Sequence, residues 1–209
     1  MPVKLVAGKR KPPQQQRSAA MVERIVDAGA RVLLGYGYDA TSTNKIAAEA
    51  GISPGSLYYY FADKDDVLRS VLDRFLALLN TTLSSTTARL DRVDRSVFQH
   101  AADHVIGVLE ENRRLLDTVV NEAPHLVRAE TRHGVEERLH EHMRTAFVLL
   151  KSPLLGADLE AACWLASQLC LTVPVRYVLS EPAIRRSAVI DGLADQIATL
   201  ARIPRPTAQ

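Results

Sequence analysis

Apolar side chains recur at helical spacing along almost the whole chain. Met21, Ile25, Ala28, Val32 and Gly35 share one face of residues 17–36, which predicts a first helix closed by the break Gly35-Tyr36-Gly37. Two short helices are expected next, over about 43–50 and 54–60, parted by Gly51-Ile52-Ser53. A longer one starts near Lys64 and runs through Val67, Leu68, Val71, Leu72, Phe75 and Leu79 into the Ser/Thr-rich stretch at 81–87. The remaining pattern predicts helices over about 95–110, 112–121, 126–151, 157–180 and 183–202. No window shows sustained alternation bounded by turn residues, so no strand is expected. The fold class is therefore all-α, with about nine helices and no internal repeat.

Composition agrees without deciding much. The 209 residues are 47% hydrophobic and 24% charged, which excludes wholesale disorder. Aromatic residues make up only 5%, which favours helices over a β-sandwich. The most apolar stretch, 161–179, still contains Gln168, Pro174 and Arg176, and reads as a buried helix rather than a membrane span. The N-terminal lysines are not followed by a signal-peptide core. Cys163 and Cys170 lie seven apart, about 10 Å along one helix and too far for a mutual bridge. They read as buried thiols in a reducing compartment, and the expected location is the cytoplasm.

Charge changes the picture once it is divided along the chain. The formal net charge is +2, yet residues 1–70 carry ten Lys+Arg against seven Asp+Glu, and the rest carry sixteen against seventeen. Lys4, Lys9, Arg10, Lys11 and Arg17 occur with no acidic residue among the first seventeen. With Pro2, Pro12, Pro13 and three glutamines, residues 1–16 read as a disordered basic arm, either a solubilising tail or a follower of nucleic-acid phosphates.

The segment from Gly37 to Lys64 carries the chemistry. Thr41 to Thr43 offer hydroxyls to cap a short helix whose inner face holds Ile46, Ala47 and Ala50. Gly51 supplies the permissive backbone for the turn. Ser53 caps the next helix, and Pro54 occupies its first position. Two short helices joined by a glycine-containing turn form a helix-turn-helix. On the second, Leu57 and Phe61 point together to the core. Gly55, Ser56 and Tyr59 point away, with Tyr58 and Tyr60 on the flanks. Three consecutive tyrosines on so short a helix cannot all be buried. Small residues let its backbone approach a surface, where tyrosines reach phosphates, sugars or thymine methyls. Lys45 and Lys64 can neutralise phosphates on either side.

The ungapped run from Gly37 to Leu68, with Thr41-Ser42, Ile46-Ala47, Ala50-Gly51-Ile52-Ser53, Gly55-Ser56-Leu57-Tyr58, Tyr60-Phe61, Lys64 and Val67-Leu68, resembles the DNA-binding signature of the tetracycline-repressor (TetR) family. The resemblance covers roughly residues 17–70. It implies phosphate contacts at Ser42 and Thr43, recognition contacts at Ser53, Gly55, Ser56, Tyr58, Tyr59 and Tyr60, and a phosphate lysine at Lys64. Pro54 stands where the family often carries a basic residue, which removes one charge contact.

The resemblance further implies a helix-turn-helix domain over 17–63 and a ligand-binding, dimerising domain over 64–209. The homodimer would form through about 157–180 and 183–202 and bind a palindromic operator. Ile190, Leu193, Ala194, Ile197, Leu200 and Ala201 form an apolar stripe suited to such an interface, or equally to an intramolecular core. Polar or aromatic groups within apolar helices nominate a ligand pocket for an unknown small molecule: His100, His104, Asn121, Trp164, Gln168, Thr172 and Tyr177. Scarce aromatics suggest a mainly aliphatic pocket. His100 and His104, four apart, also have the spacing of a metal pair but lack a third ligand. His133, His140 and His142 read as part of a solvated face. No nucleophile–base pair, phosphate-cradling glycine loop or HExxH sequence suggests an enzyme, and no cofactor is expected. The alternatives are a regulator without a small-molecule effector, or an all-α metal-binding protein using His100 and His104.

Overall fold

The computed structural model describes residues 14–88 and 95–202, with side chains from 18–84 and 95–202. Lys4, Lys9, Arg10 and Lys11 of the basic arm, and the side chain of Arg17, lie outside the described residues. The chain divides into two compact units, 1–71 and 72–209. The described residues contain no strand and nine α-helices.

The first unit holds α1 (Gln14–Ala40), α2 (Thr43–Glu49), α3 (Pro54–Tyr58) and the first turns of α4 (Lys64–Ala88). Residues 14–16 thus belong to helix rather than to the predicted arm. The predicted break is real: Gly37 adopts φ 77°, ψ 174°, outside helical geometry, and kinks α1 there. Ile25, Val26, Ala28, Val32 and Leu33 of α1 are buried with Ile46, Leu57, Phe61, Val67 and Leu68. Gly29 lets α1 lie close against α4, because a Cβ there would stand 2.6 Å from Val67 Cγ1. Asp63 and Asp66 begin α4 reciprocally: Asp66 N–H donates to Asp63 Oδ1 at 2.8 Å, and Ala62 N–H donates to Asp66 Oδ2 at 3.2 Å.

The second unit continues α4 and adds α5 (Ser96–Glu111), α6 (Arg113–Asp117), α7 (Ala129–Leu149), α8 (Gly156–Ser180) and α9 (Arg186–Leu200). A π-type turn over Thr118–Glu122 extends α6. α8 packs against α5, α7 and α9, and α9 also packs against α5. Arg186 of α9 pairs with Asp103 and Glu110 of α5, while Arg95 pairs with Asp191 and Asp195. The stripe Ile190, Leu193, Ala194, Ile197 and Ala201 is buried within this unit. It is core, and its own packing partners are why it is not left over for a second copy.

α8 is long and apolar enough by composition to cross a membrane. Ala162, Cys163, Ala166, Pro174 and Val178 on one side are buried, while Trp164 and Leu165 remain exposed. Burial pushes the Cys163 thiol up to about 11 and the Cys170 thiol up to about 12. Both are free and protonated at neutral pH, hence unreactive.

Candidate nucleic-acid interface and a separate cavity

α2 and α3 owe their short, fixed form to hydroxyl caps. Ser42 Oγ accepts from the Lys45 N–H at 3.3 Å, so Ser42 is the cap within the Thr41–Thr43 triplet. Thr41 is instead buried, and its hydroxyl donates to the Gly37 carbonyl at 2.6 Å. Ser53 Oγ accepts from the Ser56 N–H at 3.1 Å and meets the Ser56 hydroxyl at 2.8 Å. Between the helices Gly51 takes φ +64°, a left-handed conformation that costs other residues about 1–2 kcal/mol. The Ile52 N–H donates back to the Ala47 carbonyl at 3.0 Å, and Arg24 donates to the Gly51 carbonyl at 3.3 Å. The turn is therefore closed from both sides.

The predicted division of α3 holds in detail. Leu57 is fully buried and Phe61 nearly so, while Gly55, Ser56 and Tyr58 are exposed and Tyr59 is 82% exposed. Tyr60 is half-buried, in edge contact with Tyr59 at 5.0 Å between ring centres. Tyr58 is less free than a lone surface tyrosine, since its hydroxyl lies 3.0 Å from that of Thr43. That pair ties α3 to α2 and sets two of the nominated contact residues side by side.

Both lysines are held by tyrosines that the sequence reading passed over. Lys45 Nζ donates to the Ala40 carbonyl at 2.7 Å and sits 4.4 Å above the Tyr36 ring. Lys64 Nζ donates to the Tyr38 carbonyl at 3.0 Å and sits 4.0 Å above the Tyr38 ring. Each ammonium keeps donors to spare, because it carries three. The kink at Gly37 is what lets Tyr36 and Tyr38 flank it and serve different lysines. Tyr38 is locked further by its hydroxyl, which donates to Asp65 at 2.9 Å. Burial first, then that bond and the charge of Asp65, push its pKa up to about 12. Lys64 lies 26 residues from Tyr38 along the chain, so no local signal announces that pairing.

The second unit contains a cavity of about 130 Å³ bordered by α4, α5, α7, α8 and α9. Leu76, Leu79, Val105, Leu109, Leu171 and Val175 typify its wall, which has Asn80, Arg138 and His142 as its polar side chains. None of the seven nominated ligand residues lines it. His100 and His104 are exposed on α5, with His100 Nδ1 at 2.7 Å from the Ser96 carbonyl. Asn121 is exposed and donates to Asp117 at 2.7 Å. Trp164, Gln168 and Thr172 follow one another at four-residue spacing along a face of α8 away from the cavity. Tyr177 reaches the Ile184 carbonyl at 3.4 Å. Polarity within an apolar helix marked the outer faces, because the cavity wall itself is apolar. No group of three metal-ligating side chains occurs among the described residues.

The α7 histidines also divide. His140 Nε2 meets Glu160 at 2.9 Å, and this bond, with Arg144 nearby, holds the Glu160 carboxyl below its usual range. His142 leaves the solvated face for the cavity wall. Val135, Arg138, Leu139, His142 and Met143 follow helical spacing toward the cavity, a stripe that periodicity alone could have shown.

Comparison with known proteins agrees with this arrangement. Residues 25–71 match the family described as "Bacterial regulatory proteins, tetR family". The fatty acid metabolism regulator protein of Bacillus subtilis (strain 168) is 25% identical over 42% of this chain and 50% of its own length. The HTH-type transcriptional regulator HbdR of Aromatoleum sp. (strain CIB) is 31% identical over 38% of this chain and 36% of its own. The chain thus spans half or less of the length of these curated relatives. A solved structure from Mesorhizobium loti, described as a TetR-family transcriptional regulator, superposes over 88% of this chain and 97% of that one, with a TM-score of 0.67 and 24% identity. α2 and α3 thus form a capped helix-turn-helix inside the residues that match the tetR family of bacterial regulatory proteins.

Proposed function

We propose that this protein is a sequence-specific regulator of transcription, a cytoplasmic repressor that leaves a palindromic DNA operator when a small molecule fills the cavity of its second unit. The observation that carries the reading is α3: Gly55, Ser56, Tyr58 and Tyr59 are exposed over a buried Leu57. Such a helix offers small residues for close approach and tyrosines for base edges and sugars. Ser42, Thr43, Ser53, Lys45 and Lys64 would then take phosphates and fix the register. Tyr60, half-buried against Tyr59, supports that ring more than it reaches outward.

A single five-residue helix grips weakly, so a symmetric dimer reading two half-sites about 34–36 Å apart is expected. The exposed Trp164 and Leu165 support α8 as the dimer surface, with the exposed side of α9 beside it. This accounts for large apolar side chains left exposed on a helix whose other side faces its own core. α4 carries Lys64 in its first turn and the cavity residues Leu76, Leu79 and Asn80 further on. An effector that prefers one position of α4 would alter the spacing of the reading helices, and so the affinity for DNA.

Binding to a duplex from upstream of the protein's own gene tests the reading. The expected result is tight, salt-dependent binding that far exceeds binding to a scrambled duplex. Equal affinity for both duplexes overturns it.

A further inference from the structure

The cavity wall defines the chemistry of the molecule that fills it, given the reading above that this cavity is the effector site. Its lining is aliphatic almost throughout, and Phe98 is its one Phe, Tyr or Trp side chain. Phe98 is already engaged edge-on with Phe147 at 6.3 Å. A flat aromatic guest would find no pair of rings to stack between, whereas an alkyl chain gains from every wall. A cavity of about 130 Å³ is close to the size that holds a benzene-sized guest, so about six carbons fit without expansion.

The polar side chains Asn80, Arg138 and His142 introduce one asymmetry. Asn80 and Arg138 also border an adjoining polar groove with Thr131 and Gly134. They therefore mark the end where the cavity meets that groove. His142 is committed on both ring nitrogens: Nδ1 stands 2.7 Å from the Arg138 carbonyl, and Nε2 stands 3.3 Å from the Ser84 hydroxyl. These two contacts brace the turn that carries Arg138. The Arg138 guanidinium forms no ion pair with any described residue. Gly134, one turn earlier, leaves it room, since a Cβ there would come within 3.3 Å of Nη1. Asp73 and Glu130 border the same groove and would repel a highly charged head. One compact negative charge suits the place.

We infer that the cavity binds an amphipathic anion, a medium-length aliphatic acyl chain whose single anionic head is held at the mouth by Arg138. Free carboxylates carry such a head, whereas an acyl thioester of a polyanionic carrier brings several charges against Asp73 and Glu130. Calorimetric titration of the full chain with octanoate, octanoyl-CoA, octanol and octyltrimethylammonium tests it. Octanoate should bind about tenfold or more tightly than octanol and octanoyl-CoA, and tighter binding of octanoyl-CoA overturns the single-charge head. In Arg138→Gln that preference should fall to about onefold while octanol binding persists, which also shows that the variant is folded. Equal binding of octanol to the unaltered chain, tighter binding of the ammonium compound, or a preference that survives Arg138→Gln overturns the inference. Adding the upstream duplex separates the two readings. Octanoate that binds with the stated preference yet never alters DNA affinity leaves the ligand class standing and defeats the regulator reading. Release by octanol but not by either acyl anion does the reverse.

Discussion

The two units present their candidate surfaces in opposite ways. In the first, the side chains nominated for DNA contact are exposed, on helices too short to hide them: α3 is five residues long and shows Tyr58 and Tyr59 to solvent. In the second, the candidate effector surface is an internal cavity formed by aliphatic residues from five helices. A reading surface must stand out from its background, whereas an apolar cavity is made of the same residues as the core around it. The difference teaches where chemistry is legible. Residues that break the apolar pattern marked the exposed face of α3, but in the second unit they marked outer faces away from the cavity.

That comparison can be broken most forcefully at Leu57, where core and reading surface meet. Leu57→Ala should cost about 2–5 kcal/mol of stability and abolish operator binding, since α3 has no other fully buried anchor. Thermal unfolding alongside a DNA titration checks this, and a stable variant that still binds would mean α3 is held by its caps alone. Next in size is the outer face of α8. A Trp164→Glu, Leu165→Glu double variant should convert dimer to monomer in sedimentation and weaken operator binding, with little change in the fold, because both residues are exposed. A dimer that persists would move the interface elsewhere.

Tyr59→Ala should leave stability within about 0.5 kcal/mol and cost about 1–3 kcal/mol of operator discrimination. Lys64→Met should instead weaken binding to all duplexes and lower the salt slope by about one unit. If both variants lost discrimination alike, the division between reading and anchoring residues would fail. The smallest effect concerns Tyr38, whose pKa is about 12 against an ordinary value of 10. The folded state holds this proton more tightly than the unfolded chain. Its contribution is therefore complete below about pH 10 and is lost as pH rises toward 12. Alkaline unfolding should be shallower over that window in Tyr38→Phe than in the unaltered chain.

Much of the fold was legible because helical spacing survives any packing arrangement. The break at Gly37, the turn at Gly51 and the inward pair Leu57 and Phe61 all followed from local rules, and all appear in the structure. The ligand nominations do not line the cavity, for a physical reason. Trp164 and Thr172 stand on one helix face with Gln168, and nothing in the spacing says whether that face meets the core, a cavity or a second molecule. The stripe on α9 carried the same ambiguity, and packing against α5 and α8 resolved it as core.

By itself the sequence determined an all-α chain and the location of its helix-turn-helix. Caps, turn glycines and the inward-facing pair are short-range features, written within a few residues of one another. Tertiary structure alone decided that Tyr36 and Tyr38 brace Lys45 and Lys64, and that Arg138 and His142 belong to a cavity. The first depends on how the backbone kinks at Gly37. The second depends on five helices meeting, so that the same periodic pattern encloses a space in one place and fills it in another.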